Sequence, residues 1–365
     1  MMFFSLLQID VAPTSALTNP LLPTLLDLAS EPVVLMVFWI VIALIAVFVV
    51  LQIVRQVFHR RGRFHHAFDM KVIMVRVPKE LRKEDATNEK SQQQIQEVIG
   101  CMETVFSTLG SLKAHHGFGT WLMGRADNFS FEIVTHRDKI NFYASVPSEY
   151  RTFIEEQIHA QYPNAQIEDV PDYNIFLPTG VILGSYVTYR RGNHFPIKTY
   201  RKLETDAMNS LTNALSKIET GDGAVIQYVM RSAPNTWRKE GVRIAREMQQ
   251  GKKLEQVQAS FLSHLTKDIL HTIKPKHHDE NKPVDTYRLS PLEEEMVKGL
   301  EEKSSKAGLE VNIRVMVSSK TPEKSQRYLN DILGSYGQFN IYEYGNSFVK
   351  NMPRFQAAMI RHFIY

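Results

Sequence analysis

Cysteine is almost missing from this chain: Cys101 is the single copy. No intrachain disulfide can brace the fold, and no multi-cysteine zinc site can be assembled. That usage suits a reducing cytoplasm for most of the chain. Positive charge is missing from the front. No Lys or Arg precedes Arg55, whereas Asp10, Asp27 and Glu31 do. A cleaved signal peptide needs a basic start and a short apolar core there, so that reading fails. A Gly-Lys-Ser/Thr phosphate loop, a Rossmann glycine fingerprint and a Gly-x-Ser-x-Gly elbow are absent from residues 1–365. Without the first, no backbone cradle and Lys can hold ATP phosphates, and without the others the dinucleotide and hydrolase patterns drop out. The Gly221-Asp222-Gly223 cluster reads as a helix-to-strand turn. A net charge of +4 is too mild to mark a nucleic-acid binder.

What the chain does have is a long apolar run. From Val33 through Trp39 to Leu51 no residue is charged. At helical rise the run covers about 28 Å, roughly the thickness of a bilayer's hydrocarbon core. Backbone groups at that depth must bond internally, so a helix is expected over 32–55. Arg55, Arg60, Arg61 and Arg63 follow, with His59, His65 and His66 among them. That asymmetry predicts an inner- or plasma-membrane protein with segment 1–31 outside and the bulk in the cytoplasm. The basic stretch 56–69 reads as a juxtamembrane linker that can also touch anionic headgroups.

The remainder, with 44% apolar residues chain-wide, can bury a real core. Strand patterns are expected at Met70–Val77, Phe129–Val134, Ile140–Val146 and Ala165–Val170, the middle two joined by a hairpin turn at His136, Arg137 and Asp138. Amphipathic helices are expected over Ile95–Leu109 and, capped by Ser148, through Tyr150, Phe153, Ile154 and Ile158. The order is β-α-β-β-α-β, a ferredoxin-like unit at 70–175. A connecting strand and helix fill 176–222. A second unit at 223–348 has strands at Ala224–Arg231, Leu309–Val317 and Asn340–Tyr344. It carries a helical insertion at 252–289, and its hairpin partner is not evident, although Val181–Tyr189 is available. Ser290 with Glu293 forms a capping box, and Thr321 with Pro322 opens another helix. Segment 349–365 is a tail. The fold class is therefore α+β: one transmembrane helix, then two tandem ferredoxin-like units, an internal duplication.

Chemistry is sparse. His116-Gly117-Phe118-Gly119-Thr120-Trp121-Leu122-Met123 approaches an RNA-recognition signature, in which aromatics on a sheet stack on bases. It lacks the basic residue and two aromatics, and it precedes the wrong strand, so a packed loop is the reading. His277 and His278 beside Asp279 and Glu280 are adjacent residues in a polar loop, a poor ligand set. His264 and His271 share a helix face, which suits a surface role. Asp138, Glu155, Glu156 and Glu293–Glu295 belong to turns and helix surfaces. No catalytic residue, metal ligand or cofactor is assigned, and the chain is read as a non-enzyme.

The stretches RTFIEEQIHAQYPNAQIEDV, DAMNSLTNALSKIETGDGAVIQYVMR and AGLEVNIRVMVSSKTPEKSQRYLNDILGSYGQFN, the last ahead of GNSF, together with the basic-flanked helix, carry a resemblance. From Val33 to Phe348 the chain resembles the amino-terminal part of bacterial membrane proteins related to type IV secretion and conjugation ATPases, a region of unknown function. In that family a HerA-like motor normally follows; here none does. The resemblance implies either a separate scaffold or a chain that continues past Tyr365 into a motor. Its expected partners are the lipid bilayer, a P-loop ATPase and further copies of itself. The alternative expectation is a membrane-proximal nucleic-acid-binding module, motivated by a pI near 8.9 and the basic patches Arg55–Arg63 and Lys274–Lys276.

Overall fold

Residues 32–67, 69–78, 92–112, 120, 122, 125, 127–258 and 288–364 are described by a computed structural model. The expectations for segment 1–31, for most of the His116–Met123 stretch, for the helical insertion beyond residue 258, for the Lys274–Lys276 patch and for His264, His271, His277 and His278 lie outside the described residues. The chain divides into two units, Met1–Arg61 and Gly62–Tyr365.

Helix α1 spans Pro32–Ala67. The basic stretch read as a linker is thus helical to Ala67. Apart from Gly62 it holds no helix breaker, and Arg and Gln prolong a helix readily once it is nucleated.

The second unit is built on one sheet of eight strands, ordered β4-β1-β3-β2-β6-β7-β5-β8, with every neighbouring pair antiparallel. Its first four strands are β1 (Met70–Arg76), β2 (Phe129–His136), β3 (Lys139–Pro147) and β4 (Gln166–Asp169). Helix α2 (Gln92–Ser111) joins β1 to β2, and α3 (Arg151–Gln161) joins β3 to β4. The β2–β3 connection is a two-residue turn with positive φ at both Arg137 (51°) and Asp138 (61°), the backbone of a type I′ hairpin. Ser148 does not cap α3. It begins a short 3-10 turn and its hydroxyl donates to the Asp69 carbonyl at 2.8 Å, tying that turn to the entry of β1.

The other four strands are β5 (Val181–Tyr189), β6 (Gly223–Ser232), β7 (Leu309–Ser319) and β8 (Phe348–Asn351). Helix α4 (Asn209–Ser216) joins β5 to β6, and α7 (Pro322–Ser335) leads from β7 towards β8. Between β6 and β7, where the first half has a tight hairpin, stand α5 (Thr236–Gln249) and α6 (Pro291–Ser304). The strand at Val181–Tyr189, read as part of a connector, is an interior strand between β7 and β8. Residues 340–344 are not a strand. The closing strand is β8, because the Asn340 side chain accepts from the Phe348 amide at 2.7 Å, and Ile341 donates to the Asn346 carbonyl at 2.9 Å. These bonds fold 340–347 back on itself. The capping box at Ser290 and Glu293 and the Thr321 cap with Pro322 form as expected.

Alternation along β6 sorts the two faces. Ala224, Ile226, Tyr228 and Met230 pack under the helices, joining clusters built with Leu211, Leu215, Leu329 and Ile332 in one half and with Leu109, Ile154 and Ile158 in the other. Val225 faces the opposite side with Val134 and Met316. There Ile175, Phe176 and helix α8 (Gln356–Ile364), through Met359 and Ile360, cover it. The α5–α6 pair has a small core of its own: Phe195, Ile244, Met248, Val297 and Leu300.

Candidate functional site

Three places concentrate function-bearing chemistry. The first is α1. Its stretch Met36–Phe58, 23 residues, is long and apolar enough to cross a membrane. Its large side chains stand out from the helix uncovered, Trp39 at 65% and Leu51 at 48% exposure. Such a surface is costly in water and at home in hydrocarbon. Val33 opens the same helix, Arg55 is partly covered, and Arg60, Arg61 and Arg63 lie on its C-terminal turns.

The second is a buried polar cluster where the two halves of the sheet join. Strands β2 and β6 pair from Phe129↔Met230 to Thr135↔Ala224, with Glu132↔Gln227 at the centre. The two central side chains meet, Gln227 Nε2 donating to Glu132 Oε1 at 2.8 Å. Ser130 adds a bond to the same oxygen at 2.6 Å, and Tyr173 donates to Oε2 at 2.5 Å while stacking on Tyr143. Burial and the adjacent carboxylate push the Tyr173 phenol far above its usual range, so it stays a donor. Arg314, on β7, reaches the Gln227 carbonyl oxygen at 3.4 Å, and burial holds its guanidinium below its usual value. A 6%-exposed carboxylate supplied with donors on both oxygens is a locked seam.

The third is a cavity of about 840 Å³ at one end of the second half. Strands β5 and β7 pair from Val181↔Ser319 to Val187↔Ile313 and then separate. Beyond that point β5 stays with β8 through Thr188↔Val349 and Tyr189↔Phe348, while β7 stays with β6 back to Leu309↔Ser232. The cavity occupies the opening. Its lining includes residues from both faces of the sheet, Tyr186 with Val187 and Asn312 with Ile313, as a gap between strands requires. Trp237 of α5, Glu302 and Lys303 of α6, and Lys306 just beyond α6 also line it. Gly308 lets the chain enter β7 beneath the Trp237 ring, since a Cβ there would meet ring atoms at 2.4 Å. Lys303 donates to the carbonyls of Asn193 (2.6 Å) and Phe195 (3.0 Å) and lies 5.2 Å from the centre of the Tyr189 ring. Burial lowers its ammonium to about 8. At the rim, Glu103 gathers Tyr200 (2.6 Å), Arg201 (3.0 Å) and Lys306 (3.0 Å), and the Tyr200 hydrogen bond leads in holding its carboxyl below the usual range.

Of the residues singled out from sequence, the membrane and basic positions fall together on α1. Asp138 accepts from Thr220 at 2.8 Å, and Glu155 pairs with Arg151, so both serve local structure. Among the described residues no group of three His, Cys, Asp or Glu could hold a metal. Sequence reading missed both the seam and the cavity. Each is made by side chains that only strand pairing brings together. The one signal available was a polar residue within the apolar middle of each of two strands, Glu132 in β2 and Gln227 in β6.

No curated protein matches the chain. Over residues 80–364 it matches the family described as a domain of unknown function (DUF8128), and to that family it belongs.

Proposed function

We propose that this protein is a non-catalytic, membrane-anchored assembly module of a translocation complex of the type IV secretion kind. In this reading α1 holds it in the bilayer, residues 1–31 lie outside, and the sheet-bearing unit works in the cytoplasm, docking a P-loop ATPase and further copies of the chain. The observation that carries the reading is the pairing, in one chain, of an uncovered apolar helix with one continuous eight-stranded sheet. The sheet's halves repeat one plan. Strand order 4-1-3-2 in the first corresponds to β8-β5-β7-β6 in the second, each half with a helix after its first and third strands. We take the halves as two ferredoxin-like units, with α5, α6 and the inserted residues 252–289 between them standing in place of the second hairpin. A rigid platform of this kind suits assembly. Many of its cations are already paired with carboxylates, Arg243 with Glu240 and Glu247 and Arg201 with Glu103. That favours a mixed, protein-facing surface over a phosphate-binding one.

Chemical crosslinking of the full chain in native membranes, followed by mild-detergent extraction and mass spectrometry, tests the reading. Adducts between copies and with a P-loop ATPase are expected, and recovery of the chain alone would refute it. Orientation is tested separately by an impermeant maleimide in a Cys101→Ser background. Ser5→Cys should label in intact cells and Lys350→Cys only after permeabilisation.

A further inference from the structure

We propose that the opening between β5 and β7 receives an extended polypeptide segment, which adds a strand to the β7 edge that carries no partner strand among the described residues and sets an acidic side chain against the Lys303 ammonium. The inference goes beyond membrane anchoring and does not depend on it.

The backbone makes the first argument. Strand β7 is paired with β6 from Leu309 to Ser318 but with β5 only from Ile313 onward. Alternate residues of Leu309–Asn312 therefore turn their N–H and C=O groups away from β6, towards the cavity. Thr188 and Tyr189 are paired on their β8 side, and their other edge borders the same space. Unpaired strand edges are templates for another strand. Val311, at 47% exposure, leaves the β7 edge open to an entering chain. The space is of the right size. Four residues of strand, at about 3.3 Å each, about 4.8 Å between strands and about 10 Å through the sheet, occupy about 600 Å³, against the 840 Å³ present.

Charge makes the second argument. Arg201 and Lys306 are taken by Glu103, and Lys202 lies 3.9 Å from Glu295. Lys303 bonds to two carbonyls and, among the described residues, has no carboxylate within ion-pair distance. A desolvated ammonium on the wall of a cavity is complementary to one incoming carboxylate, which would offset the desolvation and raise its proton affinity. Trp237, Tyr344 and Phe348 supply apolar wall for the neighbouring side chains. The first half has a similar parting of β1 and β3 beyond Met74↔Tyr143. It has no counterpart of α5 and α6 between its second and third strands, and so no counterpart of Lys303.

The test uses the unaltered full chain in detergent micelles and short fluorescent peptides of alternating Thr and Val with a central Glu, Gln or Lys, read by anisotropy. The Glu peptide is expected to bind at least about tenfold tighter than the Lys peptide. N-methylating alternate peptide nitrogens in one of the two registers should abolish binding, and Lys303→Met should erase the preference for Glu over Gln. Absence of binding by every peptide, equal binding after N-methylation in both registers, or an unchanged Glu preference in Lys303→Met would each overturn the proposal. The N-methylation arm needs no variant, so a folding defect in Lys303→Met cannot shelter it. None of these results bears on membrane anchoring.

Discussion

Glu132 and Lys303 are charged side chains removed from water, and they are handled in opposite ways. Glu132 has donors on both oxygens, from Ser130, Gln227 and Tyr173. Removing it strands those donors at the centre of the sheet. Glu132→Ala should lower unfolding free energy by about 3 kcal/mol in urea titration. Glu132→Gln, which keeps an acceptor in place, should cost less. Lys303 has only carbonyl oxygens and a ring face, and burial brings it down to about 8. Its folded value lies below its unfolded one, so between about pH 8 and pH 10.5 the unfolded chain binds more protons. Stability therefore rises with pH across that window. Relative to Lys303→Met, the wild type should gain stability between pH 7.5 and 10, by on the order of 3 kcal/mol at most. A difference independent of pH would show that the ammonium is not desolvated.

Local chemistry decides the elements, and much of it was readable in advance. Ser290 with Glu293, and Thr321 before Pro322, announce α6 and α7 because a side-chain oxygen must satisfy the first free amides of a helix. Thr321→Ala should cost about 1 kcal/mol, seen as a lower urea midpoint with unchanged slope. Ser148 offered the same signal and did not act on it, because the Asp69 carbonyl lies within reach of its hydroxyl. That partner is distant in sequence and invisible to local reading. For a similar reason residues 340–344 alternate like a strand yet fold back, since the Asn340 and Asn346 side chains outcompete the ladder. The Gly308 passage under Trp237 is equally unannounced. Gly308→Ala, forced against the ring, should destabilise by about 1–3 kcal/mol and also narrow the cavity.

Across the whole molecule, period-two alternation revealed most strands but not their neighbours. The place of β5 between β7 and β8 depends on pairing across more than a hundred residues, as in Val187↔Ile313 and Val187↔Lys350. The cavity follows from that placement, which is why no motif pointed to it. The apolar part of α1 was legible, because a run able to span a bilayer is specified by composition and length alone, whereas its continuation to Ala67 was not. The seam gives the two halves one sheet, so they should unfold as one cooperative unit, and Glu132→Ala should lower a single transition instead of splitting it.

Anchoring is the central claim, and alkaline carbonate extraction of native membranes containing the full chain tests it most directly. The account predicts that the chain stays in the membrane pellet. A double substitution, Ile42→Arg and Ala46→Arg, should release it, since each central Arg costs about 2.5–3.5 kcal/mol of insertion free energy. Release of the wild-type chain into the carbonate supernatant would contradict the account.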